Sequence, residues 1–403
     1  MPSSLRVLQV ISSMSRLRGG PTVAVLNTLE ALGRRGVVVD ALATDDDGIE
    51  GRLDVPVDRF VDFEGQQVRF FPRQTLKYAF SAPLQRWLHD NIRRYDIVHT
   101  HELFSFAPLA AARFARAAGI PYVMTPHGAL DTWGMRHKSR IVKAASIRLV
   151  EGPLMATAAA VNFMTPLEQS RAARHGLSFR PMVLPVGVVD LAEPQQTTME
   201  PIDGLLGDTR RMILFLARLH PIKGADTLLR AYAALEDSDS VLVFAGGGPP
   251  SMVESLRHLA SQLGLDGRVR WLGFTAGAGK RWLLSQAQLF ALPSASENYG
   301  IAAIEAMHAG LPVIVTTGCG LADFVSRHEA GIVTDGSVAA LRSALEKLLA
   351  SEELSRNMGA AGRRAVRQEL SLDIFGERLE MSYRRLLDGR VPAAWGGARA
   401  SAP

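Results

Sequence analysis

The chain contains 403 residues, 47% of them hydrophobic and 21% charged, with a formal net charge of +5. That length exceeds one ordinary core and points to two globular domains. One cysteine, Cys319, excludes an internal disulfide and suits a reducing compartment. Leu5 to Ile11 is too short for a signal peptide and carries Arg6, and no uncharged apolar run reaches the roughly 18 residues of a membrane span, so a cytoplasmic protein is expected.

In chain order, a strand over Leu5–Ile11 leads through Gly19, Gly20 and Pro21 into a helix over Thr22–Leu32. Glycine lacks the Cβ that would hold a phosphate away, and proline suits a first helical turn. A second strand, Val37–Ala43, is followed by Asp45-Asp46-Asp47. This run contains an Asp-x-Asp of the kind that binds metal, but its place after a strand reads more simply as a solvated loop.

Residues 69–94 carry six Arg/Lys against the single acid Asp90, interleaved with Phe70, Phe71, Tyr78, Phe80 and Trp87. Residues 132–150 carry Arg136, Lys138, Arg140, Lys143 and Arg148 with no acid. Such clusters suit an anionic membrane surface, where each cation gains about 1 kcal/mol; an ordinary solvated face over core aromatics is the alternative. No RNA- or DNA-binding motif accompanies the charge, so nucleic acid is not an expected partner.

Strands at Ile97–Thr100, Tyr122–Thr125 and Val161–Met164 alternate with helices at Ala107–Ala118 and Lys138–Met155, a pattern that builds a parallel sheet. His99 and His101 share one strand face without a nearby third metal ligand, which favours a structural role. His127 follows the Tyr122–Thr125 strand in Pro-His-Gly. Residues 184–190 and the polar 191–201 read as a hinge.

The second half repeats the alternation, with strands near 212–217, 241–245, 268–272, 289–292 and 312–315. Arg218 and Lys223 follow the first of these, beside a helix N-terminus, where two cations suit a diphosphate. Gly246–Gly248 follow the second strand and fit a tight strand-to-helix turn. After the strand at 289–292 comes Pro-Ser-Ala-Ser-Glu-Asn-Tyr-Gly-Ile-Ala-Ala-Ile-Glu, with Glu297 in the loop and Glu305 roughly two turns into a helix. Two acids so placed can hold two ends of one polar ligand at a strand's carboxyl end. Residues 389–403 read as a disordered tail.

Residues 213–315 resemble the sugar-nucleotide domain of glycosyltransferase family 4, and the likeness extends over roughly residues 5–388. Tyr-Asp-Ile-Val-His-Thr-His-Glu-Leu-Phe (95–104) and Pro-Tyr-Val-Met-Thr-Pro-His-Gly-Ala-Leu-Asp-Thr-Trp (121–133) are most similar to members that build exopolysaccharide and O-antigen chains. The resemblance implies an α/β, GT-B fold: two Rossmann-like doubly wound domains facing across a cleft. Residues 1–188 would form an acceptor-side domain and 189–371 a nucleotide-sugar domain, with 372–388 a helix crossing back to the first.

By the same resemblance the chain is a retaining, metal-independent hexosyltransferase with no cofactor. It would move a sugar from a UDP- or GDP-sugar to a lipid-linked or oligosaccharide acceptor in bacterial surface polysaccharide synthesis. The implied catalytic set is Glu297, His127, Arg218 and Lys223. The implied donor contacts are Gly20, Arg218, Lys223, Gly246, Leu272, Asn298, Tyr299, Gly300, Ile301 and Glu305, with Glu305 on the ribose and Glu297 on the transferred sugar. Whether Glu297 is a nucleophile or a positioning group stays open. Many relatives have Pro-Asn-Gly-Val-Asp at the hinge, where this chain places Val186 in the Asn position. The alternatives are a sugar-phosphate or glucan synthase of the same fold, or an inactive nucleotide-sugar-binding assembly partner.

Overall fold

The computed structural model describes residues 4–16, 19–48, 51–131, 140–189, 211–236 and 239–390. Two compact units emerge, one from the chain up to Gly187 together with the segment from Leu372, the other from Val188 to Ser371.

The first unit is built on eight strands: β1 (Arg6–Ser13), β2 (Val38–Thr44), β3 (Phe60–Phe63), β4 (Gln66–Phe71), β5 (Ile97–His101), β6 (Tyr122–Thr125), β7 (Ala160–Phe163) and β8 (Pro181–Val183). Their order is β3-β4-β2-β1-β5-β6-β7-β8. All neighbours are parallel except the β3–β4 pair. The central strands β5 and β6 are buried along their whole length, as expected of parallel strands covered on both faces. The chain passes from β1 outward to β2 and then returns to β5 on the other side of β1, so the strand order reverses between β1 and β5.

Three differences from the sequence reading have local causes. The β3–β4 hairpin arises within the segment assigned only to charge: Val68, Phe70 and Phe71 are core residues, while Arg69 stacks near Phe60, Phe71 and Trp87. Asp45-Asp46-Asp47 is not a solvated loop. Asp46 is fully buried against Arg73, 2.9 Å away, and the Asp45 carboxylate accepts from the Arg73 backbone N–H and from Arg52. A buried acid is stable there only because the guanidinium neutralises it. The helix expected over Lys138–Met155 is described from Arg140 and passes through a π turn at Ile147–Glu151 before resuming at Gly152–Thr157. A Cβ on Gly152 would sit 2.6 Å from the Ile147 carbonyl, which explains the glycine at that turn.

The helix Leu372–Leu387 also belongs to this unit and lies on the helix Gly20–Arg34. Phe375, Leu379, Tyr383 and Leu386 form its buried stripe at helical spacing. Close approach requires Gly376, whose Cβ would come within 2.7 Å of the Ala31 carbonyl, and the Arg35–Glu380 pair (2.5 Å) closes the edge.

The second unit has six parallel strands: β9 (Arg211–Leu216), β10 (Ser240–Ala245), β11 (Val269–Gly273), β12 (Leu289–Leu292), β13 (Val313–Thr316) and β14 (Gly331–Thr334). Their order is β11-β10-β9-β12-β13-β14. Here the reversal falls between β9 and β12. β14 was not read from the sequence because its four residues, Gly-Ile-Val-Thr, open on a glycine and give only a very short apolar run, although the helix Val338–Ala350 follows closely. At the hinge the departure to Val186 leaves a buried apolar side chain, and the Asn27 side-chain amide donates to the neighbouring Gly187 carbonyl.

Candidate active site

In doubly wound sheets ligands bind at the carboxyl ends of strands where the order reverses. In the second unit that point is the β9–β12 junction, and both loops leaving it carry charged groups. After β9 the chain passes exposed Arg218 to a short turn, Pro221–Lys223, closed by Gly224 at φ 69°. After β12 it forms the loop 293–300 with Glu297. A Cβ on Gly224 would strike the Pro293 carbonyl, and the Ala295 N–H donates to the Ile222 carbonyl (2.8 Å). The two loops are thereby locked together.

That lock brings Lys223 Nζ into an ion pair with Glu297 Oε2, with both side chains mostly out of solvent at 17% and 13% exposure. The Glu297 backbone is fixed from the other side: its N–H donates to Gly318 and its carbonyl accepts from Gly320, both after β13. An ammonium has three donors, so Lys223 can hold Glu297 and still donate to an oxyanion.

Gly300, at φ 85°, ends this loop and caps the helix Ile301–Ala309. A Cβ there would press on Cys319 Sγ, Glu297 Cγ and Leu321 Cδ1, each at 3.4 Å. Asn298 is half-buried and Tyr299 buried; loss of hydration raises the Tyr299 phenol pKa well above its ordinary value, so the ring is neutral. Glu305 lies four residues after Ile301, little more than one turn into the helix rather than two. Its Oε1 accepts from Lys280 Nζ at 2.6 Å, on the helix Gly277–Gln286. Its second oxygen has no partner among the described residues and remains available to hydroxyls. Lys280 was missed from sequence, because nothing in an isolated lysine marks its approach to an acid 25 residues away.

Gly246 serves packing: a Cβ would meet the Ala217 carbonyl, and one on Gly248 would lie 2.6 Å from the Leu219 carbonyl. The loops after β9 and β10 thus interlock beside Arg218. Leu272 is half-buried near the end of edge strand β11, followed by Gly273 at φ 68° and exposed Phe274.

In the first unit the reversal between β1 and β5 gathers a second set of groups. Gly19 (φ 78°) caps the helix that Gly20 and Pro21 open, and among the described residues, its chain neighbours and own helix backbone aside, nothing lies within 4 Å of where a Gly20 Cβ would stand. Ser12 donates to Glu102, a residue at φ 73° just past β5. His127, past β6, also has positive φ, 51°, rare outside glycine. Its turn is held by Glu168, which accepts from the Gly128 N–H at 2.6 Å and from the Met164 N–H at 2.8 Å. A cavity of about 860 Å³ is lined here by Ser12, Lys77, Tyr78, Glu102, Phe104 and His127, among others.

His99, His101 and His127 form a stacked series, with ring centroids 4.4 and 5.2 Å apart. Burial is the main cause that lowers all three pKa values, with repulsion from neighbouring rings adding at His99 and His101. His99 and His127 fall to about 3. All three are neutral at physiological pH. Among the described residues no group of three or more acids, histidines and cysteines is placed to hold a metal ion.

Two sequence families fit this chain in tandem. The "Glycosyl transferase 4-like domain" matches residues 19–187 and "Glycosyl transferases group 1" matches 200–365. The GDP-mannose-dependent alpha-(1-6)-phosphatidylinositol monomannoside mannosyltransferase of Mycobacterium tuberculosis is 32% identical over 307 residues, covering 72% of this chain and 77% of its own. This chain belongs to the group 1 glycosyltransferases. A D-inositol 3-phosphate glycosyltransferase of Corynebacterium glutamicum is 27% identical over 85% of this chain and 86% of its own. Among solved structures, sucrose-phosphate synthase from Thermosynechococcus elongatus superposes with a TM-score of 0.74 at 20% identity, covering 95% of this chain and 100% of its own. Anabaena Alr3699/HepE in complex with UDP and glucose gives 0.74 at 18% identity, covering 94% and 99%. The fold of this glycosyltransferase is GT-B.

Proposed function

We propose that this glycosyltransferase moves a hexose, with retention, from a nucleoside-diphosphate sugar to a lipid-linked or oligosaccharide acceptor in bacterial surface polysaccharide synthesis. The observation that carries the reading is the ion pair of Lys223 and Glu297 at the β9–β12 reversal, with Arg218 exposed on the same loop as Lys223. Breaking a sugar–diphosphate bond leaves negative charge on the departing phosphate. Arg218 and Lys223 would stabilise it without a metal ion. Glu305, oriented by Lys280, offers its second carboxylate oxygen to the ribose hydroxyls. The segment Leu272–Phe274 holds the base largely through backbone.

Glu297 is the positioning group for the transferred sugar, supported by the amides of Asn298 to Ile301. With Lys223 neutralising its carboxylate, Glu297 is a poor free nucleophile. Retention then runs on the front face, the leaving phosphate accepting the acceptor's proton as the new bond forms. A UDP- or GDP-sugar is the donor class, in keeping with the UDP complex of the Anabaena structure and the GDP-mannose dependence of the mycobacterial relative.

The acceptor reading draws on the first unit, whose cavity sets apolar Leu76, Tyr78 and Phe104 beside Lys77 and Glu102. The helical segment 140–151 also exposes Ile141 (84%), Val142 (67%) and Leu149 (72%), with Lys143 and Arg148 on the same segment. Apolar side chains among cations suit an anionic bilayer, so the protein works peripherally on the inner membrane face. Of the basic cluster at 69–94, Arg73 is committed to Asp46 and takes no part; Arg136 and Lys138 lie outside the described residues.

The test is nucleoside diphosphate release from UDP- and GDP-sugars with membrane-lipid and soluble acceptors. Turnover should require the lipid-linked acceptor and collapse in Glu297→Ala and in Arg218→Ala/Lys223→Ala. Equal turnover on a soluble sugar phosphate would instead assign a synthase.

A further inference from the structure

Among the described residues seven non-glycines have a left-handed backbone, and four of them line the cavity of the first unit: Ala79 (φ 49°), Glu102 (φ 73°), Phe104 (φ 60°) and His127 (φ 51°). A residue with a Cβ adopts that conformation at a cost, and such residues gather where ligands are held. Hydrogen bonds and ring contacts fix the segments that carry three of the four. The Glu102 N–H donates to the Thr125 carbonyl (2.9 Å), and the Phe106 N–H donates to the Tyr78 carbonyl (3.0 Å). Tyr78 and Phe80 both meet Phe106 edge-on, with ring centroids 5.9 and 4.6 Å apart. Residues 76–79 and 102–105 thus form two preset walls of one pocket.

Leu76, Tyr78 and Phe104 give those walls their carbon surface, and the charged groups of the lining, among the described residues, are Asp47, Glu102 and Lys77. The two acids are anchored. Glu102 accepts from the Ser12 hydroxyl and Asp47 from the Ser15 hydroxyl, and both serines are buried. Lys77, by contrast, is exposed at the end of a flexible four-carbon stem. Lys143 stands 5.7 Å from the Phe104 ring centroid, where the ring face attracts it. The charge fixed into the wall is therefore negative. A carboxylate accepts about four hydrogen bonds, more than one serine supplies, and it repels a phosphate brought to the same point.

We infer that this cavity takes an uncharged sugar ring in preference to a phosphorylated one, and that Glu102 sets the preference. The ring packs one face on Tyr78 and Phe104, and hydroxyls at its edge donate to Glu102 and Asp47. Such a site discriminates twice. A phosphate oxygen cannot donate the bonds that the carboxylates accept, and its charge is repelled by them. The inference rests on the acceptor reading of this cavity and narrows it: the end of the acceptor held here is a neutral glycosyl unit, and any phosphate of a lipid-linked acceptor lies outside the pocket.

The test is saturation-transfer-difference NMR on the full chain, with UDP and GDP present to occupy the proposed donor site. The probes are the methyl α-glycosides of glucose, mannose and galactose beside their 6-phosphates. At least one neutral glycoside should bind, and its 6-phosphate should bind about tenfold more weakly or worse. Glu102→Gln should weaken the neutral glycoside about tenfold, the worth of a hydrogen bond to a charged acceptor. Glu102→Lys should turn the preference toward the 6-phosphate, which mere damage to the fold would not do. Equal or tighter binding of the 6-phosphates by the wild type would overturn the inference. So would binding of none of the probes, or neutral-glycoside binding unchanged in Glu102→Gln, Glu102→Lys and Tyr78→Ala. Nucleoside diphosphate release, followed in parallel, separates the two readings. Binding as stated without any release keeps the neutral-sugar pocket and removes the transferase role; release that prefers phosphorylated acceptors keeps the transferase role and removes the neutral-sugar pocket.

Discussion

Lys223 and Glu297 are 74 positions apart in sequence yet form an ion pair where β9 and β12 lie side by side. The pair exists because two loops are locked by Gly224 under Pro293 and by the Ile222–Ala295 hydrogen bond. A pair so shielded is more than a surface ion pair, because removing one partner leaves the other uncompensated. Glu297→Gln, which keeps the shape and loses the charge, should lower kcat about 100-fold, the scale of one transition-state contact. Circular dichroism should show the fold intact. Turnover within a fewfold of wild type would remove Glu297 from the chemistry.

Glu305 and Lys280 supply a different prediction. If the carboxylate holds ribose hydroxyls equally in ground and transition states, Glu305→Ala raises KM for the donor about tenfold and leaves kcat nearly unchanged. Lys280→Ala should shift KM in the same direction by less, since it only orients the acid. A fall in kcat at constant KM would contradict the assignment.

The glycines divide into two kinds. Gly224→Ala forces both a φ of 69° and a contact with the Pro293 carbonyl on a residue with a Cβ, so it should cost more than about 1 kcal/mol of stability. Gly20→Ala meets nothing within 4 Å among the described residues beyond its own helix and chain neighbours, and should leave Tm within a degree or two. Its effect belongs on donor KM, which should rise if the backbone there approaches a phosphate. Thermal melts and kinetics on the two variants separate scaffold from site.

The pH dependence of stability follows from the histidines. Their folded pKa values lie below the unfolded value of about 6.5, so between the two the unfolded chain binds more protons and stability rises with pH. That stability is fully present above about pH 6.5 and is lost as pH falls toward 3. For His99, which is 2% exposed, the loss approaches ~1.4 kcal/mol per pH unit below 6.5. Urea melts at pH 7.5 and 5.5 should show it, and a His99→Gln variant should flatten the slope.

Much of the fold was legible because parallel strands buried on both faces write themselves as apolar runs. The expected strands at Tyr122–Thr125 and Leu289–Leu292 coincide with β6 and β12. The hairpin β3–β4 hid behind its arginines, and Asp46 hid as a surface acid, because one sequence cannot show that Arg73 folds back onto it. Of the candidate site, Arg218, Lys223, Glu297 and Glu305 could be singled out from their offsets to strand ends. Their pairing could not: Lys280 meets Glu305 across 25 positions and Lys223 meets Glu297 across 74. Spacing finds residues near one strand end; only topology finds those brought to it.

The most direct measurement is calorimetric titration of the protein with UDP, GDP and ADP, repeated on Arg218→Ala/Lys223→Ala. One nucleotide should bind to the wild type, and its affinity should fall at least tenfold in the variant, the loss expected for charge-assisted bonds to a diphosphate. Equal affinity in both proteins would place the diphosphate elsewhere and contradict the account.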